Sequence, residues 1–257
     1  MTPQRTLPTT AVDVFVECHA AIRRGVLIQR ESRRDKEFHF QDWFGGRLAG
    51  LGIQFDGVTR NAYPDFRLVH LPLGFETKGL RFPGRVATYD SNSQVPSGSH
   101  LGRDIIYAFG RYPAEPLHEH EYPVYDLILC HGSFLNADID YVHENKSVQG
   151  FGSYGDILIR DRKMYIAPTP FALTGNTEAQ ITLILPEAAP VDDRVMERGE
   201  LVRIETDQII IGYQFNLQNN ELSTQVIPNP SAGRRHRFLA YRVAHEPGPP
   251  VAMSSPR

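Results

Sequence analysis

The stretch Tyr63-Pro-Asp-Phe-Arg-Leu-Val-His-Leu-Pro-Leu-Gly-Phe-Glu-Thr-Lys-Gly-Leu80 decides how this chain is read. A Pro64-Asp65 pair opens it, an apolar-rich segment follows, and Glu76-Thr77-Lys78 sits between Phe75 and Leu80. Side chains alternate along a strand, so Glu76 and Lys78 share one face and Thr77 takes the other. Pro72 and Gly74 signal a turn, which lets two short strands fold back on each other. A fold-back centred near His70-Leu71 sets Asp65 opposite Glu76. Two carboxylates and an ammonium then share one small volume.

Neighbouring carboxylates repel unless a cation lies between them, and a hard divalent ion with oxygen ligands relieves the repulsion. Mg2+ suits this company, because it takes one or two carboxylates plus a substrate phosphate. Asp65 and Glu76 are therefore candidate metal ligands, with the Thr77 carbonyl as a third. Such an ion polarises a phosphate oxygen and lowers the pKa of a bound water. Lys78 is placed to position the attacking water and to offset charge in the transition state. The chemistry expected is metal-assisted cleavage of a phosphodiester.

The residue pattern alone recurs in this chain. Of its four lysines, Lys78, Lys146 and Lys163 each follow an acid by two residues (Glu76, Glu144, Asp161). Asp161-Arg162-Lys163 lies between two apolar runs and reads as the polar tip of a hairpin. Glu144-Asn145-Lys146 lacks apolar alternation and reads as a loop, although Asp126, Glu144 and Lys146 form a competing trio. Only Glu76-Thr77-Lys78 combines a strand-like setting with an upstream Pro-Asp. The alternative for this trio is an exposed cross-strand ion pair on an edge hairpin, nearly neutral in energy.

Pro64-Asp65 and Glu76-Thr77-Lys78 resemble the PD-(D/E)xK nuclease motif, in a segment from about Glu37 to Tyr112. The resemblance implies an α/β, restriction-endonuclease-like core with a mixed central β-sheet flanked by helices. It also implies Mg2+ dependence and products with 5′-phosphate and 3′-hydroxyl ends. Asp65, Glu76 and Lys78 would be catalytic. Members place an acid on the helix ahead of the hairpin, for which Glu37 is the first choice and Asp42 the second. Size and recognition-sized loops suggest a type II restriction enzyme acting on double-stranded DNA. Cutting both strands at a two-fold site calls for a homodimer. A repair or structure-specific nuclease, or a non-catalytic β-rich DNA- or protein-binding module, are the alternative functions.

Upstream of the hairpin, residues 1–10 read as a disordered N-terminus. Val12, Phe15, Val16, Ala20 and Ile22 give a helical spacing from Ala11 to about Arg34. Phe38, Phe40, Trp43, Phe44, Leu48 and Leu51 mark a second helix over Glu37–Leu51. Downstream, residues 81–100 read as a long polar loop. Loops of that length are functional or disordered. Its Ser91, Asn92, Gln94, Ser97 and His100, with Arg81 and Arg85, are side-chain types that meet DNA bases and phosphates. Gly102 to Tyr112 reads as a helix that aims Arg103 at the cleft. Val124 to Cys130 reads as a central strand.

Six further β-like runs follow between 156 and 243, and suggest a β-rich C-terminal extension over about 150–245. The core would span about 37–130, within one nuclease domain at 11–245. Gly233-Arg234-Arg235-His236-Arg237 is the densest basic spot, and adjacent cations want an anion. Arg234, Arg235 and Arg237 join the DNA-binding candidates. The Pro-rich tail at 246–257 reads as disordered.

The balance of charge, −3 at pH 7 over 257 residues, excludes a general polycation that coats nucleic acid. Twenty-three of the 27 basic residues are arginine, which suits bidentate contacts. Two distant cysteines cannot build a disulfide framework, so a reducing cytoplasm is expected. The opening Met1-Thr2-Pro3-Gln4-Arg5 lacks the apolar core of a secretory signal. No apolar run approaches the ~20 residues of a membrane span.

Overall fold

A computed structural model describes residues 7–29, 37–56, 62–84, 86–92, 94–118, 120–137, 154, 157–161 and 164–254. The chain begins with α1 (Leu7–Arg23), β1 (Ile28–Gln29), α2 (Glu37–Gly50), β2 (Phe55–Asp56), β3 (Phe66–Leu68) and β4 (Leu73–Phe82). Next come β5 (Thr88–Asn92), β6 (Ser99–His100), β7 (Arg103–Pro113), β8 (Glu121–Tyr122), β9 (Asp126–His131) and the single turn α3 (Gly132–Leu135). The remainder holds β10 (Leu158–Asp161), β11 (Met164–Pro168), α4 (Pro170–Leu173), β12 (Thr174–Gly175), β13 (Ile181–Pro186) and β14 (Val195–Ile204). It ends with β15 (Gln208–Asn216), β16 (Glu221–Pro228), β17 (Arg235–Val243) and β18 (Ala252–Met253).

The fold is α/β around a mixed central sheet in the order β14-β17-β13-β9-β7-β4-β3-β2, with β6 beside β7. The pairs β4–β7 and β9–β13 are parallel and the others antiparallel. One face packs on the two long helices. Val12, Phe15 and Cys18 of α1 and Phe40, Phe44 and Leu48 of α2 meet Phe75, Ala108, Leu129 and Leu183 there. Gly79 and Gly110 are neighbours in register on β4 and β7, and both dent the sheet under Phe40. A Cβ on Gly110 would come within 2.2 Å of that ring.

The opposite face carries a second core of Tyr107, Phe109, Ile128, Cys130 and Ile184. It is covered by Tyr89 of β5, Tyr165 and Ala167 of β11, and Ile209 of β15. Both long helices thus lie on one face, and small strands cover the other where flanking helices were expected.

Each long helix stops at a glycine in the left-handed region. After α1, Gly25 (φ 71) and Val26 donate to Ile22 and Ala21. After α2, Gly52 (φ 66) and Ile53 donate to Ala49 and Leu48. Both are Schellman closures. The first helix therefore ends at Arg23 rather than near Arg34.

Three further expectations are corrected. Residues 102–112 form no helix. Ile105-Ile106-Tyr107-Ala108-Phe109 lies in β7, buried on both faces between β4 and β9, and such a strand shows no alternation. The 81–100 stretch is not one long loop, because β5 pairs with β11 over Thr88–Asn92 and β6 pairs with β7. The tail after Glu246 includes buried Val251, and β18 pairs with β12.

The β-rich extension takes the form of extra sheet. Strands β13, β14 and β17 continue the sheet that holds β4. The β10–β11 hairpin around Asp161 is as expected. No described helix is long and apolar enough to cross a membrane.

Candidate active site

The fold-back read from sequence is present. Phe66 pairs with Phe75 and Arg67 with Gly74, a register that carries Asp65 to Glu76. The ladder ends there, and the Asp65 carboxylate takes over as acceptor. Its Oδ2 accepts from the Thr77 N–H at 2.8 Å and from the Thr77 hydroxyl at 2.6 Å. The Asp65 N–H donates in turn to Glu76 Oε2 at 3.2 Å. Lys78 Nζ donates to Glu76 Oε1 at 2.7 Å. The trio is one connected unit, and Asp65 Oδ1 accepts no hydrogen bond among the described residues.

This is not the exposed edge pair of the alternative interpretation. Glu76 and Lys78 lie on the same strand, which pairs with β7 along its length. Glu76 is only 7% exposed. Burial pushes its carboxyl up, the Lys78 ammonium pulls it down, and the Asp65 charge raises it again, to about 7 in all. Buried acids with displaced pKa values and a named charge partner concentrate at functional sites.

Parallel pairing sets Tyr107 of β7 beside Glu76. Its hydroxyl meets that of Tyr63 at 2.8 Å. Burial pushes the Tyr107 phenol well above its usual range, and the neighbouring Tyr63, Tyr89 and Glu76 add to the rise. The His100 ring stands edge-on to Tyr63 at 4.8 Å between centroids, and burial holds its pKa below the ordinary histidine value. Of the DNA-contact candidates, His100 is thereby brought against Tyr63, two residues before Asp65. Sequence reasoning assigns no role to Tyr63 or Tyr107. The signal for Tyr107 is its place in an apolar run that reads equally as a buried strand.

The other candidates divide. Asp65, Glu76 and Thr77, the expected metal ligands, are together. Glu37 opens α2, which packs on the sheet face opposite Glu76 and Lys78. The Glu37 and Asn92 side chains and all of Arg85 lie outside the described residues, as do Glu144 and Lys146. Arg81 is exposed and reaches the Ala114 carbonyl at 3.4 Å. Ser91 is buried and its hydroxyl donates to the Gln94 carbonyl within its own turn. Ser97 folds onto Ser99.

Arg103 does not aim at the cleft. Its Nη1 donates to the carbonyls of Leu68 at 2.8 Å and Leu71 at 2.9 Å, which ties down the β3–β4 turn. Arg234, Arg235 and Arg237 belong to β17 and the turn before it. Four strand spacings separate β17 from β4, roughly 19 Å at 4.8 Å each. Two members of that cluster find their anions within the chain. Arg237 pairs with Glu187 and Glu200, and His236 with Glu205.

Asp126, head of the competing trio, is committed elsewhere. It forms a buried two-pronged pair with Arg111, whose guanidinium lies between the rings of Phe82 and Phe171. No family model matches this chain, and neither a curated protein nor a solved structure does.

Proposed function

We propose that this protein is a Mg2+-dependent endonuclease that hydrolyses double-stranded DNA at specific sites and leaves 5′-phosphate ends, as type II restriction enzymes do. The observation that supports the reading is the linked unit of Asp65, Thr77, Glu76 and Lys78 inside a sheet. It holds two carboxylates and one ammonium, and burial makes the charge of Glu76 expensive. A structural ion pair has no need of the third group.

The donor set fits a hard cation. Asp65 and Glu76 would hold Mg2+ with the Thr77 carbonyl, all oxygen donors of the kind that ion prefers. When bound, Mg2+ supplies positive charge against the oxygens of the scissile phosphate. The rest falls to the chain. The Thr77 N–H and hydroxyl fix the Asp65 carboxylate, and so its orientation is set before substrate arrives. Lys78, anchored on Glu76, carries the N–H donors that hold the attacking water. Water oxygen would join phosphorus as the P–O3′ bond breaks, and a proton given up by that water ends on O3′, which leaves as a hydroxyl. Two copies of the chain would cut the two strands. The buried, free thiols of Cys18 and Cys130 suit a reducing cytoplasm.

Lys78→Ala tests this reading. The variant should fold as the parent does, bind DNA in Ca2+ and lose cleavage by roughly 10²–10⁴-fold. Undiminished cutting would remove Lys78 from the mechanism and the reading with it.

A further inference from the structure

A second group of ligand-type side chains lies on the helical face, away from the Asp65–Glu76 unit. His19 projects from α1 and is 6% exposed. His245 and Glu246 follow the end of β17, in a turn closed by the Glu246 N–H on the Val243 carbonyl at 2.9 Å. His19 Nε2 is 3.1 Å from Glu246 Oε2. The His245 ring stands edge-on to His19, 5.6 Å between centroids at 87°. One donor atom from each of the three lies within 4.8 Å of the other two.

We propose that His19, His245 and Glu246 form a binding site for a divalent transition-metal ion of the zinc class. Two imidazole nitrogens and one carboxylate oxygen are the donors that Zn2+ favours, whereas Mg2+ and Ca2+ favour oxygen alone. Bonds of about 2.0–2.2 Å place tetrahedral ligand atoms roughly 3.3–3.6 Å apart. The His19–Glu246 pair, at 3.1 Å, is slightly closer than that and opens by a few tenths of an ångström when the ion replaces its hydrogen bond. His245, whose donor atom lies within 4.8 Å of the other two, has to close by at most about 1.5 Å on the same geometry. It is exposed, and no side-chain hydrogen bond holds it among the described residues. A rotamer change therefore completes the site.

Arg23 lies one turn after His19 on α1 and pairs with both oxygens of Glu246. It serves as the outer partner that orients the carboxylate, keeping Oε1 while Oε2 turns to the ion. Three protein ligands leave a fourth position for water on the exposed side. The site ties α1 to the segment after β17, so ion binding must stabilise the fold. The proposal does not rest on the nuclease reading.

The experiment uses chelator-treated full-length protein titrated with Zn2+ by calorimetry and with Co2+ by visible absorption, and needs no activity assay. One ion per chain is expected, with a rise in melting temperature. His245→Ala and Glu246→Gln, both at exposed positions, should each weaken binding by at least the roughly 10–100-fold seen for outer-shell changes. Asp65→Asn should leave the Zn2+ titration unchanged. No stoichiometric binding, or binding equal in His245→Ala, Glu246→Gln and parent, would overturn the proposal. So would loss of binding in Asp65→Asn, because it would put the ion at the other site.

Discussion

Replacing Glu76 by glutamine should make the metal-free protein more stable above neutral pH, even as it removes a candidate ligand. The carboxyl sits at about 7 against an ordinary 4.5. That difference corresponds to about 3 kcal/mol at roughly 1.4 kcal/mol per tenfold. Below pH 4.5 the folded and unfolded chains both hold the proton, and the contribution is fully present. Between about 4.5 and 7 the unfolded chain releases its proton first, so stability falls as pH rises. Above 7 the loss is complete and the curve is flat.

The Glu76→Gln side chain has no such proton to release, so that slope should vanish in the variant. Its Lys78 ammonium loses a partner but is 22% exposed and can turn to water, at a cost of up to about 1 kcal/mol. A net gain of about 2 kcal/mol above pH 7 remains, from the difference of those two figures. Urea denaturation with chelator at several pH values reads it directly. Adding Mg2+ at ten times its Kd should then stabilise the parent by about 1.4 kcal/mol and the variant hardly at all. Parallel stability curves for parent and variant through this pH window would refute the reasoning, because an ordinary exposed carboxylate behaves that way.

Other consequences are open to simple tests. Gly110→Ala pushes a methyl into Phe40 and should cost about 1–3 kcal/mol in denaturant titration; adding Phe40→Leu should recover much of it. Asp126→Asn leaves the Arg111 guanidinium buried without its anion and should cost about 3–5 kcal/mol, measured the same way. Arg237→Ala should leave DNA affinity in Ca2+ unchanged in a gel-shift titration, because Glu187 and Glu200 already occupy that guanidinium.

The part of the site that was legible in the sequence is local. Asp65 and Glu76 are joined by a short fold-back whose turn residues are explicit, so alternation and register alone placed them opposite each other. Tyr107 was not legible, since it reaches Glu76 through the parallel pairing of β4 with β7. That pairing depends on contacts across thirty residues. Strand β7 was misread because burial on both faces erases the alternation that marks a strand. The helix stops were present in Gly25 and Gly52, yet the Arg-rich residues after Gly25 extended the apparent helix. The arginines of β17 misled in another way. Composition shows a cationic cluster, but only the fold shows Glu187 and Glu200 arriving at Arg237 and Glu205 at His236. His19, His245 and Glu246 share no local pattern, and only the packing of α1 against the end of β17 joins them.

The most direct measurement is the fate of duplex DNA incubated with purified protein, with and without Mg2+, followed by end-group analysis. Mg2+-dependent breaks that bear 5′-phosphates and disappear in Asp65→Asn are the predicted result. No cleavage of any duplex in Mg2+, or cleavage that survives in Asp65→Asn, would contradict it.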